Sequence, residues 1–496
     1  MKQSRAVNEP RIPDARPRWI AVLLAAAAYW AVNLGLFGQG TPHLLDDTWE
    51  YAVAAEHLLA GDGFVTRVIH PPLWGLADSA LRVPLLIHGP LLPVLFAPAL
   101  ALAGPGVVDQ VAWLAAAFAV ITAVLVYRLA ARHFGQAAGV AAALLYTLSP
   151  LTLEAVHHDV ALTAGAAFLA ASLLALFPGE DLLGPREPHA FLAGLLLGAG
   201  YLVRPEFLLL VVLLPFAVPA RAWTAVFGFT LVALPWWVHH ALAAGTPWFS
   251  LSSYLVIGYH GGYPDLTVLR DFDLPPSAWP AALRDALPEL PAKWAQTLPR
   301  ALKRALLAPW GPAGALAALG FLAALFSRPH RRLAAWGLGT ALIPVAVMTL
   351  TIYDERYLSP FMPIWCTAAA AGAAALAARL PAWVRAPRVW ITLLALLALP
   401  PAAAAWIAAG RDAPAARSAL DAERAALADR ADRTKDAGVR VQPMFSDTPD
   451  FAAWTTGRSV VWLTREEYSA LPPCVNAGAA AGRPCRAGQE HVRFHP

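Results

Sequence analysis

Charge is what this sequence has least of. Only 14% of its 496 residues are Asp, Glu, Lys or Arg, against about a quarter in an ordinary soluble domain. The net charge of only +4 gives little support to nucleic acid as a partner, and none is expected. Cysteine is nearly absent, with three residues, too few for a disulfide-stapled scaffold. Cys366 falls in an apolar segment and reads as inert. Cys474 and Cys485 lie close together in a polar tail, where an extracytoplasmic location would let them pair. Internal repeats are also missing, which removes the usual signature of a secondary transporter.

Apolar residues fill the gap. They make up 58% of the chain and the mean hydropathy is +0.52, as in a protein with many membrane spans. Nineteen Trp suit the membrane–water interface, and 44 Pro imply broken helices. The basic segment 1–18 precedes an apolar run from Trp19 to Phe37, longer than a signal-peptide core, so it reads as an uncleaved first span. Further candidate spans lie near 107–127, 137–153, 160–178, 190–203, 205–219, 222–242, 306–326, 333–352, 357–378 and 389–409, about eleven in all. The stretch 84–103 is apolar too, but it carries Pro84, Pro90, Pro93, Pro98 and His88, a poor recipe for a continuous span. If it does not cross, the loops holding Arg128 and Arg132, Arg186, Arg221, Arg328 to Arg332 and Arg379 to Arg388 all face the cytoplasm. It is therefore placed as an interfacial or re-entrant helix on the outer face.

This topology brings the unusual polar segments together outside: 38–106, 154–159, 243–305 and 353–356. Segment 243–305, rich in Pro, Trp and Tyr, reads as amphipathic pieces lying on the membrane surface. After Gly410 a charged helix pattern at 412–436 leads to two short apolar runs flanking a helix-like piece, a small α/β domain with one βαβ unit. The expected architecture is an all-α polytopic membrane protein. It has a cytoplasmic segment 1–18, a transmembrane domain 19–409 with outer-face amphipathic helices, and an extracytoplasmic domain 410–496.

The polar stretch HLLDDTWEYAVAAEHLLAGDGFVTRVIHPPLWG, from His43, organises the chemistry. In its helical part Trp49, Val53, Leu58 and Leu59 suit a membrane surface, with Glu50 and Glu56 facing water. Asp46 and Asp47 open that helix at the membrane boundary, where an acid can accept a proton from a nucleophile; helix capping is the alternative, but it needs only one acid. A second acidic site is Glu154 with His157, His158 and Asp159. It can orient an acceptor or bind a divalent cation, or be a polar turn. Arg204, in GYLVRPEFLLL, is a cation within an apolar run and suits a lipid-borne phosphate; Glu206 is the structural alternative. Arg356 has the same choice between phosphate and its neighbours Asp354 and Glu355. Tyr357 beside it, and His70 before Pro71-Pro72, are candidates for the same cavity.

These residues form a familiar order. D-D-T-W-E-Y…A-A-E-H-L-L-A-G-D-G-F, the PPL at 71–73, YRLAARHFG at 127–135, GYLVRP, RYLSPFMP at 356–363 and the tail SDTPDFAAWTTGRSVVWL follow one another along nearly the whole chain. Together they resemble the GT-C glycosyltransferases, especially protein O-mannosyltransferase-like enzymes and lipid A aminoarabinose transferases. The resemblance implies a polyprenyl-phosphate-linked sugar donor, a glycan, lipid or protein acceptor, and transfer with inversion in the cell's inner (plasma) membrane. It maps the acceptor-activating acid to Asp47, the second acidic position to Asp159, and the phosphate-holding cations to Arg204 and Arg356. His157 and His158 depart from its pattern and leave metal use open. A flippase or transporter for a lipid-linked sugar is the competing reading.

A cysteine introduced in 84–103 is expected to react with an impermeant thiol reagent from the outer side alone. Labelling of the two ends from opposite sides would overturn this topology.

Overall fold

The computed structural model of the chain describes residues 19–37, 46–178, 180–181, 184–185, 189–258, 263, 267–328, 330–351, 354–436, 444–446, 449–456, 459–462 and 493–494. The basic N-terminus, residues 38–45, the Asp46 side chain and the tail with Cys474 and Cys485 lie outside the described residues.

In a bilayer an apolar segment must satisfy its backbone internally, and the helix does so residue by residue. The chain is a multi-pass membrane protein built that way. Helix α1 (Trp19–Phe37) is followed by α2 (Asp46–Ala60), short strands β1 (Val65–Thr66), β2 (Val68–Ile69) and β3 (Val83–Pro84), and α3 (Leu91–Ala103). The bundle continues with α4 (Val111–Phe134), α5 (Gln136–Thr147), α6 (Pro150–His158) and α7 (Val160–Leu176). A small hairpin, β4 (Glu180–Asp181) and β5 (Gly184–Pro185), leads to α8 (Ala190–Tyr201), α9 (Leu208–Val211), α10 (Leu214–Ala217) and α11 (Ala222–Ala244). A second long loop holds α12 (Trp279–Ala286) and α13 (Leu290–Leu307). Then come α14 (Ala315–Leu325), α15 (Arg331–Leu350), α16 (Met362–Ala377), α17 (Ala382–Arg385) and α18 (Pro387–Asp436).

Among the described residues six helices are long and apolar enough to cross a membrane, and α5 with α6, bent by 51°, make a seventh. Helices α3, α7, α8 and α14 are apolar but shorter. The expected span at 205–219 is not one continuous helix. Pro205, Pro215 and Pro219 divide it into 3-10 turns and the four-residue helices α9 and α10. At 306–326 the helix begins only at Ala315, after a turn in which Gly311 takes a φ of +59°. The 13 residues of α3 span about 20 Å, short of a hydrocarbon core of roughly 30 Å. Helix α18 runs 50 residues, about 75 Å, so the charged pattern at 412–436 continues the last span without a break.

Small residues let these helices close on one another. On α4 the buried stripe Ala115, Ala119, Ala123, with Ala116 and Ala130, offers a flat face. Where α14 crosses α16, a Cβ on Gly320 would sit 1.7 Å from the Ala368 carbonyl oxygen, so only glycine fits.

The C-terminal unit is a parallel βαβ: β6 (Met444–Ser446), α19 (Pro449–Thr456) and β7 (Val460–Trp462). Strand β8 (Arg493–Phe494) joins β6 antiparallel, and β2 of the first loop joins β7 in parallel, giving the order β2-β7-β6-β8. The sheet thus ties the end of the chain to the loop after α2.

Helix α13 is fixed by a buried lysine. Lys293 Nζ donates to the carbonyls of Val256 (2.9 Å), Gly258 (2.6 Å) and Leu350 (2.9 Å), and the Thr297 hydroxyl, 2.8 Å from Lys293 O, lies 3.1 Å from Thr349 O. The bond to Leu350 O caps the last carbonyl of α15, where a cation is favoured by the helix dipole, and the other two hold the second long loop to it. Lys293→Met would deprive the carbonyls of Val256, Gly258 and Leu350 of this donor and is expected to cost roughly 3 kcal/mol. The thermal midpoint of the detergent-solubilised protein measures it; an unchanged midpoint would remove the staple role.

Candidate functional site

The site lies where the first loop, the α6–α7 turn, the α8–α9 corner and the segment before α16 meet. Asp47 sits in the first turn of α2, where the helix dipole favours an anion. Residues three and four further on share its face, so Asp47, Glu50 and Tyr51 point the same way. They meet His88. Its Nε2 is 3.1 Å from Glu50 Oε2 and 3.8 Å from Asp47 Oδ1, and its Nδ1 is 3.4 Å from the Tyr51 hydroxyl. His88 reaches them because Gly89 lets the chain lie against the corner beyond α8. A Cβ there would be 2.0 Å from Leu202 O, and Leu91 N donates to that same oxygen at 3.2 Å.

The far end of α2 is held by a second set of charges. His57 Nδ1 lies 2.8 Å from Asp62, and Arg82 bridges Asp62 (2.7 Å) and Asp78 (2.8 Å). Its outer flank packs Trp49 against Trp454 of α19, ring centroids 6.3 Å apart. Two expectations are corrected here. Glu50 does not face water; it is 2% exposed and paired with His88. Trp49 does not lie on a membrane surface; it is buried under α19. The i, i+3, i+4 spacing of Asp47, Glu50 and Tyr51 was the signal that could have found the acidic face.

Asp159 is the N-cap of α7. One oxygen accepts from Ala161 N at 2.8 Å and the other lies 3.5 Å from Arg204 Nη1. Arg204 stands before Pro205, which holds it extended (φ −140°, ψ 117°). Its Nη2 donates to Glu206 at 2.6 Å, its Nε has no hydrogen-bond partner among the described residues, and its guanidinium lies 5.1 Å above the Tyr357 ring. Arg356 lies 5.7 Å from the same ring and bonds Asp354 through Nε at 3.1 Å. Tyr357 is therefore shared by two cations.

Other expected residues divide. His70 is buried at the rim, and burial, with the cations His88 and Arg270, pushes it down to about 3, so it is neutral. Arg270, from the second long loop and unnoticed in the sequence, is buried with it. Glu154 is exposed on α6, nearer to Asp354, Glu355 and Arg356 than to the aspartates. His158 is half-buried at the end of α6, while His157 bonds Asn33 of α1 at 2.7 Å. A divalent cation asks for about six oxygen ligands. Among the described residues no three His, Cys, Asp or Glu side chains converge, and His157 is committed to Asn33. The described donors alone therefore do not make a cation site.

The two aspartates are driven apart. Burial works to raise the Asp47 carboxyl, but His88, Arg356 and Arg204 outweigh it and hold Asp47 below the usual carboxylate range. Asp159 is pushed up, by burial first and then by the Asp47 charge, against Arg204 and Arg356. Such divergence lets two neighbouring acids take different roles.

The family model for dolichyl-phosphate-mannose-protein mannosyltransferase matches residues 87–242, the stretch with His88, Asp159 and Arg204. No curated protein sequence matches the chain. Among solved structures, ArnT from Cupriavidus metallidurans bound to undecaprenyl phosphate is similar, with a TM-score of 0.53 at 13% identity over 90% of this chain and 86% of that one. The Archaeoglobus fulgidus oligosaccharyltransferase, tethered to an acceptor peptide containing the NVT sequon, gives 0.54 at 14% identity. That match covers 90% of this chain but 64% of the oligosaccharyltransferase, less than two thirds of its length. At these identities the shared property is the fold.

Proposed function

We propose, from the GT-C glycosyltransferase fold that this chain shares, that it transfers a sugar from a polyprenyl-phosphate carrier to a glycan, lipid or protein acceptor. In this reading the site and the C-terminal unit are extracytoplasmic, in the inner (plasma) membrane. The observation that carries it is the setting of Asp47 at the head of α2, 3.8 Å from His88 and with Arg204 and Arg356 in electrostatic reach.

The step is a single displacement. Asp47 accepts the proton of an acceptor O–H or N–H while that oxygen or nitrogen bonds the anomeric carbon. The bond from that carbon to the phosphate oxygen breaks on the opposite face, the carrier phosphate leaves with the electron pair, and the centre inverts. The phosphate gains negative charge as it departs, and Arg204 and Arg356 are the cations placed to meet it. The orphan Nε–H of Arg204 supports this role, since a buried donor without a partner costs about 1–3 kcal/mol and a phosphate oxygen would satisfy it. Tyr357 spaces the two guanidinium groups, and neutral His70 offers a hydrogen bond. Asp159 orients the acceptor, with Asp46, Glu154 and His158 assigned to its surroundings. No step needs a divalent cation.

Asp47→Asn keeps shape and loses the charge. It is expected to lower transfer at least about a hundredfold while the protein stays folded in membranes; wild-type activity would sink the base assignment. Arg204→Lys keeps the charge but loses the guanidinium fork. It is expected to weaken binding of the lipid-phosphate donor about tenfold or more and leave acceptor binding alone. Unchanged donor affinity would count against the phosphate role. Mass spectrometry of surface glycans and lipid-linked sugars in cells lacking the protein tests the activity itself. Loss of one sugar with its donor accumulating supports transfer; an intact glycan profile with a carrier trapped on the cytoplasmic side points to a flippase.

A further inference from the structure

The contacts of His88 have a division of labour that a simple ion pair would lack. The Glu50 carboxylate is buried within α2 and takes the short contact to Nε2, 3.1 Å. The Tyr51 hydroxyl sits at Nδ1, 3.4 Å away, and its ring meets the imidazole edge-on with centroids 4.9 Å apart. Asp47, on the same helix face, is left at 3.8 Å from Nε2, too far for a hydrogen bond but well inside the range of charge. Asp47 is also the more exposed acid, with 29% of its side chain open against 2% for Glu50.

We infer that His88, locked by Glu50 and Tyr51, is a positioning residue that fixes the Asp47 carboxylate as an anion while leaving its oxygens free for the acceptor. This rests on the transferase reading of Asp47. Glu50 is essential to it: without that carboxylate the imidazolium would turn to Asp47, form the short bond itself and occupy the lone pairs that the acceptor needs. A neutral imidazole would leave Asp47 facing Glu50 and Asp159 without its nearest cation. The groups around the ring are Asp47, Glu50 and Tyr51 from α2, Asp159 from the head of α7, and His70 across the rim. Burial lowers the His88 pKa, but Asp47, Glu50 and Asp159 together hold it above the ordinary imidazole value. The imidazolium form therefore persists to higher pH than in a free imidazole and is lost as pH rises through that elevated value.

The test uses the full-length protein in membranes of the expressing cell, supplied with radiolabelled polyprenyl-phosphate hexoses and pentoses. Label is counted in lipid, glycan and protein fractions. His88→Gln is expected to lower kcat at least tenfold with the donor KM within twofold, and to remove the alkaline limb of the wild-type pH profile. Glu50→Gln is expected to lower kcat as well, with donor KM again preserved. Wild-type kcat in His88→Gln with an unchanged pH profile would overturn the inference. So would a loss of kcat matched by an equal loss of folded protein with the alkaline limb intact. A second readout needs no substrate: in protein with isotope-labelled histidine, His88 should titrate above the usual imidazole range and fall toward it in Asp47→Asn. A titration indifferent to Asp47→Asn would also overturn it. Should the wild type turn over none of the donors, the transferase reading fails, and the titration alone decides the His88–Asp47 coupling.

Discussion

Asp159 and Arg204 meet inside an apolar bundle, 3.5 Å apart and both nearly sealed from water. Removing Arg204 would leave the Asp159 carboxylate as an uncompensated buried charge, at a cost on the order of 3–5 kcal/mol. That constraint shapes the surrounding chain. The α6–α7 turn must present Asp159 with one oxygen left over after capping α7. The corner after α8 must be extended at Arg204, and Pro205 makes it so. Tyr357 then carries the constraint to a third segment, since its ring lies beneath Arg204 and Arg356 alike. Three turns far apart in sequence are registered by one ion pair and one ring.

Helix α2 is held differently. Its acidic face meets His88, its opposite flank meets Trp454, and the strand after it, β2, is hydrogen-bonded into the C-terminal sheet. Val460 N donates to Arg67 O at 2.8 Å, extending that sheet by one more bond. A two-residue strand such as β2 has no stability of its own; pairing with β7 supplies it. The C-terminal unit therefore acts as a brace on the helix that carries Asp47. This gives a physical reason for a small α/β unit at the end of a chain otherwise made of membrane helices.

Much of the helical architecture was legible because the period and length of apolar runs are strong signals in a membrane. The breaks were less so. Three prolines in 205–219 could be counted, yet hydropathy alone still made a span of it. The site residues most visible in sequence were charges out of place, such as Asp47, Asp159, Arg204 and Arg356, which the fold brings within electrostatic reach of one another. Glu50 and His88 were hidden for the opposite reason. Glu50 sits in a polar helix where exposure is the default, and His88 lies in an apolar run where it looked like one more obstacle to crossing. Only the approach of the Gly89 turn to the α8 corner, a long-range contact with no local signature, makes them partners.

The charges also limit which roles the two aspartates can exchange. Asp47 faces three cations and stays an anion, so it presents a lone pair to whatever hydrogen approaches. Asp159 lies in the field of Asp47, and burial together with that charge pushes its carboxyl up against the pull of Arg204 and Arg356. A proton donated to Asp47 during transfer would relieve the repulsion on Asp159 and weaken the hold on the arginines at the same moment. In the proposed transfer the leaving phosphate would gain its charge then too, so the cations released from one anion would meet another. Coupling of this kind needs the acids and arginines in one shared field with little water between them. The Asp159–Arg204 pair is nearly sealed from water, and the Gly89 turn lies tight against the corner beyond α8, as such a field requires.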